Sequence, residues 1–172
     1  MSSLKGKRVL FIIAFNIFRD EEYQIPREVL EEKGAQVEVA SSRLGTCTGK
    51  LGLKVSSDTT IDQVDVNEYD IVAFIGGAGA SEYFRNPVAH KIARAAVESR
   101  KVLGAICIAP ATLANAGVLT GKRATVFSSE IEALNAGGAI YTGKSVEIDE
   151  KIITANGPEA AREFGEALAE AV

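Results

Sequence analysis

"VLGAICIAPATLANAG", residues 102 to 117, decides the fold. Val102 to Ile106 are apolar without alternation, as in a strand covered on both faces. From Ala109 to Ala116 the composition turns to helix formers, and Gly117 supplies a stop. Pro110 sits early in that helix, where its missing N–H costs nothing. The strand must therefore turn sharply into the helix at Cys107. Strand, turn and helix in this order are half of a βαβ unit.

The same alternation runs outward in both directions. Apolar, β-branched runs predict strands at Val9–Ala14, Val37–Ala40, Ile71–Ile75 and Ile152–Ala155. Helical patterns predict α-helices over Glu21–Lys33, closed by Gly34, and from Asn86-Pro87 to about Ser99. A last helix is expected from Pro158, with Ala160, Phe164, Leu168 and Ala171 along one face. Gly45 to Ser57 reads as a small hairpin beside the main sheet. The expectation is an α/β three-layer sandwich, a mostly parallel sheet with helices on both faces. No linker, repeat or low-complexity tract interrupts it, so residues 1–172 read as a single domain.

Bulk properties exclude several functions. The 172 residues are 47% hydrophobic and 24% charged, with a net charge of −4 and no Lys/Arg block. Nucleic acid and anionic membrane are poor partners for such a chain. The longest apolar run, Val9 to Phe15, is far short of a membrane span. Cys47 and Cys107 are too few for a disulfide framework and lack metal-ligand spacing, so a cytoplasmic protein with free thiols and no metal is expected.

Residues 138–145, "GAIYTGKS", match a phosphate loop. That loop works only between a strand and a helix whose N-terminus faces the phosphates. Here the helical stretch, Ser129 to Asn135, comes before, and the strand-like Val146-Glu147-Ile148 follows, so nucleotide binding is rejected. "GGAGAS", residues 76–81, misses the dinucleotide fingerprint because Glu82 stands where its third glycine belongs.

Ligands of open α/β sheets sit beyond the carboxyl ends of the strands, here the loops after Ala14, Ile75 and Ile106. Around Cys107, Ala105 and Ala109 are small enough for a nucleophile elbow, which would place the thiol at a helix N-terminus. A buried structural cysteine fits the same local pattern. Cys47, in the polar stretch "GTCTG", shows no activating feature. Gly76-Gly77 after a strand let backbone N–H groups approach an anion, and with the Ile108 amide could form an oxyanion hole; a simple strand-ending turn is the alternative.

Strand-Gly76-Gly77, Ala105-Ile106-Cys107 with Pro110, a glutamate four before Pro26, and Asn156-Gly157-Pro158 before the last helix together resemble the ThiJ/PfpI family. The resemblance implies a flavodoxin-like sandwich, a homodimer or larger homo-oligomer, no cofactor, and a reactive cysteine on its elbow. It assigns the adjacent acid to Glu22 and the oxyanion-hole amides to Gly77 and Ile108, leaving Asp20 and Glu21 as ordinary helix-start acids. It also marks two departures. Where relatives carry histidine, this chain has Ile108 and, after the next strand, Phe127. The single histidine, His90, falls inside a helix and reads as a surface or packing residue. Gly76 and Phe127 are expected to line the pocket.

Without imidazole, Glu22 and Cys107 are expected to share one proton, with a neutral carboxyl donating to a thiolate near neutral pH. Two chemistries suit that pair. The thiol could add to a small carbonyl compound, an aldehyde or glycated group, as in the family's glyoxalase-like and deglycase-like activities. Alternatively, peroxide could oxidise it to sulfinate, as in a non-catalytic stress sensor or chaperone. Cysteine peptidase activity is disfavoured, because the leaving amine needs a general acid and both family histidines are replaced.

Overall fold

The computed structural model describes residues 3–172. In chain order its elements are β1 (Arg8–Ile12), β2 (Asn16–Phe18), α1 (Asp20–Glu32), β3 (Gln36–Ser41), β4 (Thr46–Gly49), β5 (Lys54–Ser56), β6 (Thr59–Thr60) and β7 (Ile71–Phe74). There follow α2 (Pro87–Glu98), β8 (Val102–Ile106), α3 (Pro110–Asn115), β9 (Arg123–Ala124), α4 (Ile131–Ala136), β10 (Ile140–Tyr141), β11 (Val146–Asp149), β12 (Ile152–Ala155) and α5 (Ala161–Glu170).

The main sheet has the order β11-β12-β8-β7-β1-β3-β6. All its pairings are parallel except β11 with β12. Its strands are apolar on both faces because both are covered. Along β1 and just beyond, Val9, Phe11 and Ile13 enter one buried cluster, while Leu10 and Ile12 enter the other. The first is closed by Tyr23 and Leu30 of α1 and Phe164 and Leu168 of α5. The second is closed by Ile92 and Ala96 of α2 and Leu113 of α3. Each large side chain so buried contributes about 1.5–3 kcal/mol. The chain leaves β1 for β3 and β6, then returns to β7 on the other side. That reversal opens a crevice beyond the carboxyl ends of β1 and β7.

Local signals act as expected at α2. The Asn86 carboxamide oxygen accepts from the N–H groups of Val88 and Ala89, and Pro87 takes the first helical position. The last helix begins later than its Pro158 signal: residues 158–160 form a 3-10 turn, and α5 starts at Ala161. The Gly45–Ser57 hairpin forms as β4 against β5, joined by the unforeseen β2, which pairs parallel with β4. Cys47 therefore lies in a strand and is fully buried, not in a polar turn. Strand alternation explains the difference, because it turns Cys47 inward while Thr46 is exposed. Around residues 138–145, α4 precedes and β11 follows, so the segment does not run from a strand directly into a helix as a phosphate loop does. Among the described residues no helix is long and apolar enough to cross a membrane.

Candidate active site

Cys107 stands just past the end of β8 in the left-handed conformation, with φ of 65°. A non-glycine residue at such a φ is strained and persists only where its surroundings hold it. Here its N–H donates to the Ala155 carbonyl (2.9 Å) and its own carbonyl accepts from the Phe127 N–H (2.8 Å). Ala105 and Ala109, the small flanks required by an elbow, are both buried. The side chain is nearly closed over, at 9% exposure.

Glu22, in the first turn of α1, is completely buried. Neither carboxyl oxygen has a hydrogen-bond partner of ordinary geometry among the described residues. What faces it is the Cys107 sulfur, close enough for the two groups to perturb each other's ionisation. Gly76 makes this possible. A Cβ on Gly76 would overlap the Cys107 Cβ, the Glu22 Oε1 and the Ile106 carbonyl. Gly76 is thus a buried spacer between the two groups. Gly77, with φ of 107°, turns the chain so that its amide, like that of Ile108, reaches the sulfur.

Burial pushes the Glu22 carboxyl up to about 8, against the smaller opposing pulls of Cys107 and Arg19. Desolvation thus favours the neutral acid at pH 7. Burial also pushes the Cys107 thiol up, followed by the charge Glu22 acquires on ionising; together they carry it to about 12, although the Gly77 and Ile108 amides pull it down. The expected resting thiolate at neutral pH is not what this geometry favours. The sulfur is too enclosed, and α3 is only six residues long, so few aligned peptide dipoles point at it. The pair behaves as one unit whose first proton leaves near pH 8.

The neighbouring acids divide the work. Glu21 makes a two-pronged ion pair with Arg19 (2.9 and 3.0 Å). Asp20 is not an ordinary helix-start acid. It is buried, and its carboxylate accepts from the Leu51 and Leu53 N–H groups, both at 2.9 Å, tying the β4–β5 turn to α1. Arg19 escaped the sequence reading altogether. Its N–H donates to the Gly76 carbonyl (2.9 Å), and its guanidinium is the cation that acts on Glu22. No local pattern marks that role, since it depends on β7 meeting the start of α1. His90 is engaged elsewhere, with its Nε2 2.7 Å from the Phe84 carbonyl. Phe127 is 42% exposed and borders a cleft of about 380 Å³ beside the elbow.

A profile of the DJ-1/PfpI family matches residues 7–171. An uncharacterized protein of Methanocaldococcus jannaschii is 40% identical over 166 residues, which cover 95% of this chain and 81% of that protein. A deglycase of Pyrococcus horikoshii is 33% identical over 88% of this chain and 90% of its own length. The crystal structure of a ThiJ/PfpI domain protein from Brachyspira murdochii superimposes with a TM-score of 0.95 at 28% identity, covering 97% of this chain and 96% of that one.

Proposed function

The chain belongs to the DJ-1/PfpI family, and on that premise we propose that its Cys107 thiol adds to small aldehydes, α-oxoaldehydes or glycated groups, with Glu22 moving the proton. A carbon–sulfur bond forms, the carbonyl π bond breaks, and the thiol proton passes through Glu22 to the carbonyl oxygen, giving a hemithioacetal. The observation that carries this reading is a fully buried carboxyl held against an elbow sulfur by a spacer glycine, where desolvation favours its neutral form. As sulfur attacks, the neutral carboxyl gives its own proton to the carbonyl oxygen and takes the thiol proton on its other oxygen, so no free thiolate has to accumulate. The Gly77 and Ile108 amides stand ready for the developing oxyanion. The deglycase name of the Pyrococcus horikoshii relative supports a carbonyl substrate. Peptide hydrolysis is disfavoured, because Ile108 and Phe127 offer no acid and Glu22 alone would have to protonate the leaving amine.

The test is loss of methylglyoxal with wild type, Cys107→Ser and Glu22→Gln. Turnover by the wild type that falls at least a hundredfold in both variants is expected, the usual scale for a lost nucleophile or proton shuttle. Turnover unchanged in Cys107→Ser would overturn the reading. A redox-sensing role is favoured by one specific feature: the unpartnered Glu22 oxygens offer a protonated acid to a sulfinate. In that case methylglyoxal is not consumed, and mild peroxide adds two oxygens to Cys107 while sparing buried Cys47. We also propose that the chain forms a homodimer, with exposed Ile17, Leu44 and Leu51 as apolar contact residues. Light scattering that returns a monomer at micromolar concentration would exclude it.

A further inference from the structure

The cleft beside the elbow has its own chemistry. Phe127, Tyr141, Asn156, Pro158 and Glu159 are among its lining residues. It is tied to Cys107 on two sides: the Phe127 N–H donates to the Cys107 carbonyl, and Asn156 follows directly on Ala155, whose carbonyl takes the Cys107 N–H. Glu159 is the charged member of the lining; it is exposed and makes no ion pair among the described residues. Phe127 is a large ring left 42% open to solvent, and Tyr141 is half-buried.

Two aromatic rings and an unpaired carboxylate around one cleft form a setting for a cation. Ring faces attract onium groups, most strongly the weakly hydrated quaternary ones, and a nearby carboxylate adds a direct Coulomb attraction. We propose that this cleft is a subsite for an alkylammonium group, so that the preferred substrates are aldehydes whose non-reacting end is cationic. The inference rests on the reading of Cys107 as a carbonyl-adding thiol. The onium end would lie between Phe127, Tyr141 and Glu159 while the carbonyl meets the sulfur. Phe127 then supplies one wall of this subsite.

Two measurements separate the subsite from the chemistry. In the first, Cys107→Ser is titrated with choline and with its neutral isostere 3,3-dimethylbutanol, following the ring resonances of Phe127 and Tyr141 by NMR. Choline is expected to shift both saturably, with affinity roughly five- to tenfold above that of the isostere. Glu159→Gln should remove most of that preference. In the second, betaine aldehyde and 3,3-dimethylbutanal compete with alkylation of Cys107 in wild type and in Glu159→Gln. The variant should weaken protection by the cation several-fold and leave protection by the neutral aldehyde unchanged; intrinsic electrophilicity cancels in that ratio. Choline binding no better than its isostere, or Glu159→Gln affecting both aldehydes alike, overturns the subsite. Choline binding without protection by either aldehyde leaves the subsite standing and overturns the carbonyl chemistry.

Discussion

The hydrogen that Gly76 carries in place of a side chain keeps the Cys107 sulfur and the Glu22 carboxyl in contact. A methyl group there would press on both side chains and on the Ile106 carbonyl, a backbone atom that cannot swing aside. Gly76→Ala is therefore expected to cost about 1–3 kcal/mol, the usual penalty for overpacking a close-fitted interior. It should also part the acid from the thiol. Chemical denaturation reads the first effect, and the pH profile of Cys107 alkylation the second, as a shift of the inflection away from pH 8. An unmoved inflection would mean that the two groups do not depend on this spacing. Gly76 was visible in the sequence as a strand-ending glycine with a functional alternative. That it separates two side chains was not, because they arrive from α1 and β8.

Four successive charged residues, Arg19 to Glu22, open α1, and by helical pattern alone they look alike. Their fates differ because the helix start is wedged between the crevice and the β4–β5 hairpin. Glu22 points into the crevice, Glu21 holds Arg19 at the surface, and Asp20 grips the hairpin turn. Asp20→Ala leaves the part-buried Leu51 and Leu53 N–H groups without their acceptor, and a loss of about 1–3 kcal/mol is expected. The loss should be local. Limited proteolysis should cut near Leu51, which wild type resists, and equal cutting of both proteins would show that the turn holds without Asp20. Reading Asp20 as a helix-dipole residue was reasonable from its position. Its actual partners are some 30 residues away, beyond the reach of any local signal. The same limit hid β2, a three-residue strand whose partner lies across the hairpin.

Burying an uncompensated carboxyl at the centre of the molecule makes its stability depend on pH. Glu22 binds its proton more tightly folded, near 8, than unfolded, near 4.5. Stability linked to this group is therefore fully present below 4.5 and lost as pH rises through 8. The full effect is on the order of 5 kcal/mol. The ion-paired Glu21 and Glu38, whose values are lowered, act in the opposite sense, but their contribution is lost only below pH 5. Between pH 5 and 8 wild type should lose stability steadily, while Glu22→Gln should hold a nearly flat profile and be the more stable protein at pH 8. Urea denaturation at three pH values checks this, and parallel profiles would show that Glu22 is not buried as a neutral acid.

The sequence by itself determined the α/β layering, the order of the main helices and the central strands, and the elbow at Cys107. These follow from hydrophobic period, proline and glycine placement and small flanking residues, all of which act within a few positions along the chain. Only the tertiary structure decided that Cys107 rests as a thiol, the inward turn of Cys47, the grip of Asp20 and the aromatic, acidic cleft beside the thiol. Those depend on desolvation and on contacts between segments distant in sequence, and a pKa or a pocket belongs to that enclosure and not to any stretch of chain.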